Sequence, residues 1–347
     1  MIDVFSWVER ERKLYFKAYT AVGGTYCYDI DNDNLTIISE NLIEEKWKPN
    51  AYFRVCSIDN ILVFPPYYSN DSSFFIYNII NEDKKYLKKE KSDVYRSCVA
   101  YKGKVYTFGK NIKDIAEINV DKYKIMYPFE NVMEDVQMNT FSNVYICGCF
   151  AYVNIEKKDA ILKINLDSYE YTIIEFPELD AVYGTIVYYN GYFYLTGDRE
   201  WILKWDGYSF FEKIMLPINK NEMDSISWKQ YFSDIIVMDG KIYMAPLYYR
   251  AVVLYDCSEN KVKLIYDVED GLITWGCTYY DDYICLPLVN IHGKMSKYVR
   301  INIKNNEILD DDIFDFDRFS DLNLCKYGEE YSKHALKKFL GIVRDSN

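Results

Sequence analysis

The feature that most constrains this chain is a four-strand unit that it repeats. One copy reads clearly: an apolar run from Phe232 to Met238, the dipeptide Asp239-Gly240, and a second run from Lys241 to Pro246. A third run, Ala251 to Asp256, leads through the polar turn Cys257 to Asn260 into a fourth, Lys261 to Tyr266. Asp-Gly suits a two-residue hairpin because both central residues of that turn need positive φ. The same order recurs where Tyr183 to Tyr189 turns at Asn190-Gly191 into Tyr192 to Thr196, then Trp201 to Trp205, Asp206-Gly207 and Phe210 to Met215. Tyr95 to Tyr101 turns at Lys102-Gly103 into Lys104 to Phe108, and Ile273 to Tyr280 turns at Asp281-Asp282 into Tyr283 to Leu286. Weaker copies turn at Asp59-Asn60, at Phe141-Ser142 and near Glu11-Arg12. Turns at 11, 59, 102, 141, 190, 239 and 281 lie 39 to 49 residues apart, close to the roughly 40–50-residue period of propeller blades.

A lone four-stranded unit has apolar faces that only neighbouring units cover, so a ring of such units is the stable solution. The expectation is an all-β propeller over residues 1–312, with seven four-stranded blades, or six if the first copy, which lacks a clear turn, is not counted. Residues 313–347 form a second region. Asp310-Asp311-Asp312 through Asp317 reads as an acidic linker without the Gly and terminal Glu spacing of an EF-hand loop. Tyr327, Tyr331, Ala335, Leu336, Phe339, Leu340 and Val343 recur at helical spacing, which predicts an amphipathic C-terminal helix over 326–343 packed on the propeller.

Within the repeat, Asp239-Gly240-Lys241-Ile242-Tyr243 followed by Leu254-Tyr255-Asp256 resembles the kelch-like propeller family in a diverged, bacterial form. The resemblance covers roughly residues 1–312 and implies a kelch-like propeller. It departs from the family in two places. Only Gly109 and Gly197 stand where kelch blades carry a Gly-Gly pair, and the late Trp of the fourth strand is missing. No residues match the copper site known from galactose-oxidase-type members, so none is carried over.

Composition narrows the function. The net charge is −12 and the pI about 4.9, which opposes phosphate-backbone binding and nucleic acid as a partner. Lys84, Lys85, Lys88 and Lys89 form the one dense basic run and read as a solvated outer strand. No apolar run reaches membrane-spanning length and Met1 to Trp7 has no leader pattern, so no membrane association and a reduced cytoplasmic location are expected. The nine Cys include no CxxC; Cys147 and Cys149 read as two thiols on one face of a strand, and Cys56, Cys98 and Cys277 as core fillers. The two histidines, His292 and His334, cannot build a three-histidine metal site, and there is no HExxH, GxSxG, P-loop or GxGxxG after a strand. No metal and no cofactor are expected.

Position in the repeat then sorts candidate residues. Connections from second to third strand, and from one blade to the next, share one face. There Pro65-Pro66 precedes Tyr67 and Tyr68, and Pro246-Leu247 precedes Tyr248, Tyr249 and Arg250. Asp198, Arg199 and Glu200 occupy another such connection, and Trp47 and Trp228 lie between blades. Aromatic rings beside charged groups suit a peptide, protein or glycan ligand; the competing reading is that the rings cap the blade cores. First strands carry Arg54, Arg96, Asp135, Asp234 and Trp275, candidates for lining the central channel, with Arg54 and Asp234 expected to point into it. The leading expectation is a non-enzymatic recognition propeller. The alternatives are a lyase, hydrolase or isomerase acting on a sugar or peptide at the channel mouth, with acid and base drawn from Asp, Glu, Tyr, Lys or His292, and a scaffold docking through the C-terminal helix.

Overall fold

A computed structural model describes residues 4–18, 25–39, 55–66, 73–90, 94–134, 136–138, 143–156, 160–175, 181, 183–217, 230–269, 271–290 and 295–311. Residues 313–347, including the expected tail helix, lie outside them. Among the described residues there are seven antiparallel sheets, and each is built from strands consecutive in sequence. Blade 1 comprises Val4–Arg10, Lys13–Ala18, Thr25–Asp29 and Asn34–Ser39. Blade 2 comprises Cys56–Ile58, Ile61–Phe64, Ser73–Asn78 and Lys84–Lys88; blade 3, Ser97–Tyr101, Lys104–Phe108, Ala116–Asn119 and Lys124–Met126. Blade 4 comprises Tyr145–Cys147, Phe150–Asn154, Ala160–Asn165 and Tyr171–Glu175; blade 5, Tyr183–Tyr189, Tyr192–Gly197, Trp201–Trp205 and Phe211–Met215. Blade 6 comprises Phe232–Met238, Lys241–Pro246, Ala251–Asp256 and Lys261–Asp267. Blade 7 has a broken first strand, Leu272–Ile273 and Thr278–Tyr280, then Tyr283–Asn290, Met295–Asn302 and Ile308–Asp311. The chain is a seven-bladed β-propeller.

Seven buried apolar clusters fill the seven spaces between adjacent blades. Blades 7 and 1 meet by packing, and among the described residues no strand is exchanged between them. Trp7 meets Tyr298 edge-on at 5.4 Å there, and the Cys285 thiol donates to the buried Glu9 carboxylate at 3.1 Å.

Five first hairpins have both central residues at positive φ: Glu11-Arg12, Lys102-Gly103, Asn190-Gly191, Asp239-Gly240 and Asp281-Asp282. That geometry matches the twist of the flanking strands, as the dipeptides implied. The fourth hairpin differs from the expected Phe141-Ser142. It turns at Gly148-Cys149, between Tyr145–Cys147 and Phe150–Asn154, with Gly148 at φ +60°. Cys147 therefore ends a strand and Cys149 lies in its turn, so the two thiols do not share a strand face.

A second repeated turn lies on the same face. In every blade the third strand ends in, or for blade 5 is followed by, an Asp or Asn whose side chain accepts backbone N–H bonds two to four residues on: Asp29, Asn78, Asn119, Asn165, Asp206, Asp256 and Asn302. This side-chain acceptor stands in for a backbone turn bond. In six blades the residue four later has positive φ: Asp33, Glu82, Tyr123, Tyr169, Asn260 and Asn306.

The residue after the acceptor wedges against the preceding blade: Ile30, Ile79, Val120, Leu166, Cys257 and Ile303 pack into the inter-blade clusters. Five of these six donate their backbone N–H to the first hairpin of their own blade, to the carbonyls of Arg12, Asn60, Cys149, Gly240 and Asp282. From the preceding blade a second-strand tyrosine reaches over: the Tyr106 hydroxyl donates to Leu166 O and that of Tyr243 to Ile303 O, both at 3.3 Å. Tyr106 shares that one proton with buried Glu117, nearer at 2.8 Å, and Glu117 also accepts from Tyr169 of blade 4 and pairs with Lys104 at 2.7 Å. Burial pushes the Glu117 carboxyl up, but bonds from Lys104, Tyr169 and Tyr106 outweigh it and hold it below its usual range.

The Asp256 turn is a test of this arrangement. Bonds from the Ser258 hydroxyl and from the Glu259 and Ser258 amides hold its carboxyl below the ordinary aspartate value. The folded pKa lies below the unfolded one, so the turn adds stability above about pH 4 and loses it as the pH falls through the depressed value. Asp256→Ala is expected to cost about 1–2 kcal/mol at neutral pH. Asp256→Asn, which keeps an acceptor oxygen, should melt near wild type and show a shallower loss of melting temperature in acid. Equal melting of the alanine variant and wild type at neutral pH would contradict the assignment.

Candidate functional site

Because the two tight turns of every blade share one face, the connections from second to third strand and from blade to blade share the other. The described parts of that face form an arc over blades 5, 6 and 7, tied together by backbone hydrogen bonds. Tyr231 donates its N–H to Gly197 O of blade 5 at 3.0 Å. Its carbonyl receives three successive amides, from Leu247, Tyr248 and Tyr249, at 2.8, 3.1 and 3.2 Å. Thr274 of blade 7 then donates to Pro246 O at 3.1 Å. These bonds bring the Asp198-Arg199 connection, the Tyr248 to Arg250 connection and the Trp275 segment next to one another.

The side chains take different roles. Arg199 stands 42% exposed with Nε 3.8 Å from Asp198 Oδ1. A rim pair of this kind contributes little to stability. Tyr248 is half-buried against the cluster between blades 7 and 1, and so is Trp275; burial raises the Tyr248 phenol above its ordinary pKa. Arg250 holds φ at +62°, a conformation uncommon for a residue with a Cβ and one that clusters at binding sites. Tyr249 does not present its ring. It is 4% exposed, packed on Tyr231 at 5.8 Å and Phe232 at 5.2 Å, and its hydroxyl donates to Pro217 O. It caps the blade core, the competing reading for these aromatics.

Asp234 sits 6% exposed at an irregularity in the first strand of blade 6. Its Oδ1 accepts from Ile235 N at 2.9 Å and its Oδ2 from Cys277 N of blade 7 at 3.4 Å. The break in blade 7's first strand explains this contact. The Thr274 hydroxyl closes a tight loop onto Gly276 O at 2.6 Å, so Cys277 N–H finds Asp234 instead of a ladder partner. A Cβ at Gly276 would stand 3.4 Å from Asp234 Oδ2. Trp275 thus belongs to a loop, not to a continuous inner strand. Arg54, Tyr67, Tyr68, Trp228, Trp47, Asp135 and His292 lie outside the described residues.

Two participants were not singled out from sequence. Tyr231 is the hub of the arc, yet nothing marks it among the 36 tyrosines. Gln230 donates to Phe232 O at 2.9 Å and lies over Gly184, where a Cβ would approach its amide to 2.0 Å. A glycine inside an otherwise apolar strand is the one sequence signal for that close approach. Among the described residues no cluster of three or more His, Cys, Asp or Glu is arranged to hold a metal ion, and no helix is long and apolar enough to cross a membrane.

No protein-family model matches the chain, and no curated protein matches its sequence. Solved structures do match in fold. Virginiamycin B lyase from Staphylococcus aureus superposes with a TM-score of 0.62 at 13% identity, over 82% of this chain and 91% of that one. YCF48 bound to D1 peptide gives 0.62 at 8% identity, over 83% and 91%. The WD40 repeats of RRP9 give 0.59 at 8% identity, over 90% and 95%. At these identities the likeness is one of propeller architecture.

The burial contrast predicts opposite outcomes within the arc. Tyr249→Ala should destabilise the fold by about 3–5 kcal/mol, as for other aromatic truncations in a core. Arg199→Ala should stay within about 0.5 kcal/mol of wild type. Urea unfolding of both variants checks this, and a neutral Tyr249→Ala would place that ring outside the core.

Proposed function

We propose that the chain is a recognition propeller without catalysis of its own, receiving a peptide or protein segment on the arc over blades 5 to 7. The observation that carries this reading is the bond chain from Gly197 through Tyr231 to Leu247, Tyr248 and Tyr249. It fixes the backbone beneath Arg199, Tyr248 and Arg250 before any partner arrives, and such preorganisation lowers the cost of binding. Half-buried aromatics and arginines are also the residue types that anchor protein interfaces. A peptide is favoured over a glycan because the guanidiniums of Arg199 and Arg250, beside the carboxylates of Asp198 and Glu200, suit backbone carbonyls and charged side chains. One fold neighbour was solved with a peptide bound, which is compatible with this use of the architecture.

The kelch-like kinship rests on the same footing, supported by the hairpin dipeptides and the acidic or amide residue closing each third strand. A reducing, cytoplasmic location is likewise our reading, supported by the eight described cysteines all being free thiols. The enzyme reading ranks second. A lyase among the fold neighbours motivates it, and turnover that is lost on His292→Ala would bring it forward.

Photo-crosslinking separates the two faces. A photoreactive residue at Tyr248 should trap a discrete protein partner from an extract of the native cell, whereas one at Asn190, on the opposite face, should not. The double variant Arg199→Ala, Arg250→Ala should then weaken the isolated partner at least tenfold with unchanged melting. Crosslinking from Asn190 alone, or unchanged affinity, would remove this face from consideration.

A further inference from the structure

Six blades set an apolar residue or cysteine after the third-strand acceptor, and it wedges against the blade before. Blade 5 has Gly207 in that place. Its φ is +86°, and a Cβ there would meet Phe193 Cε2 at 3.2 Å. Without a wedge, the outer part of the interface between blades 4 and 5 opens into a groove of about 760 Å³, within the size range of small-molecule clefts. Its wall on blade 4 is a row across three paired strands, Tyr152, Lys163 and Thr172. Its wall on blade 5 carries Tyr188, Phe193 and Tyr208, the last 86% exposed.

Two groups in the groove lack the partners that their counterparts have. Tyr152 is 5% exposed and lines the groove, but its hydroxyl makes no hydrogen bond among the described residues. The equivalent Tyr106 and Tyr243 donate to the carbonyl of the wedge residue of the next blade. Lys163 holds its ammonium 4.1 Å over the Phe150 ring centroid, and among the described residues no carboxylate pairs with it. Of the other charged residues at this repeat position, Glu117 pairs with Lys104 at 2.7 Å and Lys204 with Glu212 at 3.3 Å, while Arg300 lies over the Tyr283 ring as Lys163 lies over Phe150. A phenol hydroxyl with no hydrogen bond and a lysine with no carboxylate among the described residues, beside an aromatic-lined cleft, are placed to serve an external acceptor.

We propose that this groove binds a monocarboxylate carried on an aromatic body. Lys163 and the Tyr152 hydroxyl take the carboxylate, and Phe150, Tyr188, Phe193 and Tyr208 take the ring. The charge is single because three carboxylates also line the groove. Asp206 is committed to the amides of Tyr208, Ser209 and Phe210 at 2.8, 3.1 and 3.1 Å, and Glu170 accepts from the Ser168 hydroxyl at 3.1 Å. Glu175 stands exposed at the edge. Together they repel a dianion such as a phosphate monoester about twice as strongly as a monoanion, so only a single carboxylate held directly against Lys163 is tolerated. The ligand is either a free aromatic acid or the C-terminal carboxylate of a peptide ending in an aromatic residue. The groove lies on the outer flank between two blades, away from the arc of Tyr231, and the proposal stands apart from the recognition role assigned to that arc.

The test titrates the full chain with phenylacetate and N-acetylphenylalanine, with the neutral amide of each, and with phenyl phosphate, by ligand-observed NMR. Both acids are expected to bind in roughly the millimolar range given their size, with amides and phosphate at least tenfold weaker. Lys163→Met should weaken the acids about tenfold and Tyr152→Phe about threefold, while Lys163→Arg retains binding. Tighter binding of N-acetylphenylalanine identifies the peptide terminus as the source, and tighter binding of phenylacetate the free acid. Equal binding of acid and amide by the wild-type chain, no binding of either acid, or undiminished affinity in a folded Lys163→Met variant would overturn the proposal. The acid–amide comparison needs no variant, so it decides the matter even if a substitution fails to fold.

Discussion

Everything in this molecule depends on how one blade covers the face of the next. A four-stranded sheet of this composition cannot stand alone, since both of its faces are apolar. The residue following each third-strand acceptor solves the problem at the outer edge. In five blades its amide is held by the hairpin of its own blade, at Ile30, Ile79, Leu166, Cys257 and Ile303. Its side chain fills the space toward the preceding blade, and at Leu166 and Ile303 its carbonyl receives that blade's tyrosine. The local turn and the long-range interface are therefore one device. A chain built this way resembles a linear repeat array, with stability summed over nearest-neighbour interfaces, except that its ends meet. Among the described residues no strand is exchanged between blades 7 and 1, and the contacts of Trp7 with Tyr298 and of Glu9 with Cys285 join them by packing.

The division of labour between the two faces follows from that device. Turns that satisfy their own backbone groups and lock neighbouring blades are short, and they occupy one face. The other face carries the connections that the locking mechanism does not use, so their length and chemistry are free to vary. Loops on a rigid scaffold are where binding residues concentrate. Tyr231, Tyr249 and Asp234 show how the scaffold reaches into that face. Each spends its polar atoms on neighbouring backbone, which fixes the positions of residues such as Arg199, Tyr248 and Arg250 above them.

How far the fold was legible in the sequence differed by element. The four strands of blade 6 lie where the apolar runs and the Asp239-Gly240 dipeptide put them, with the last running one residue further, because every local preference there agrees with the fold. Blade 4 was misread in its hairpin. Cys147-Gly148-Cys149 looked like strand because thiols pack as apolar residues do, while its single glycine carried the turn. The third-strand acceptors mark the period more sharply than the hairpins. Reading Asn and Asp as one acceptor joins Asp29-Ile30, Asn78-Ile79, Asn119-Val120, Asn165-Leu166, Asp256-Cys257 and Asn302-Ile303 into one pattern; reading Tyr-Asp alone finds few of its members. At the candidate site the types of residue were legible and their burial was not. Tyr248 and Tyr249 are adjacent, yet one lies in the core and the other at its margin. That difference is set by the Tyr231 carbonyl gathering their amides, a contact no local pattern announces.

A repeat has a further use once its physics is known, because a departure from it becomes informative. Gly207 is an ordinary turn glycine when read alone, and Lys163 an ordinary lysine in a strand. Against the other blades Gly207 is the exception at a position that otherwise holds a wedge, and Lys163 departs from Glu117 and Lys204 in having no oppositely charged partner among the described residues. Both exceptions fall on one interface, together with a tyrosine whose counterparts are bonded. Loss of a wedge by drift would be expected to leave a costly void that neighbouring side chains close only in part. Here the gap is lined by rings and bordered by a cation, and its glycine holds a backbone conformation that disfavours return of a larger residue. Among the described residues this interface alone lacks the wedge, and its rings and cation suit the ligand proposed for it.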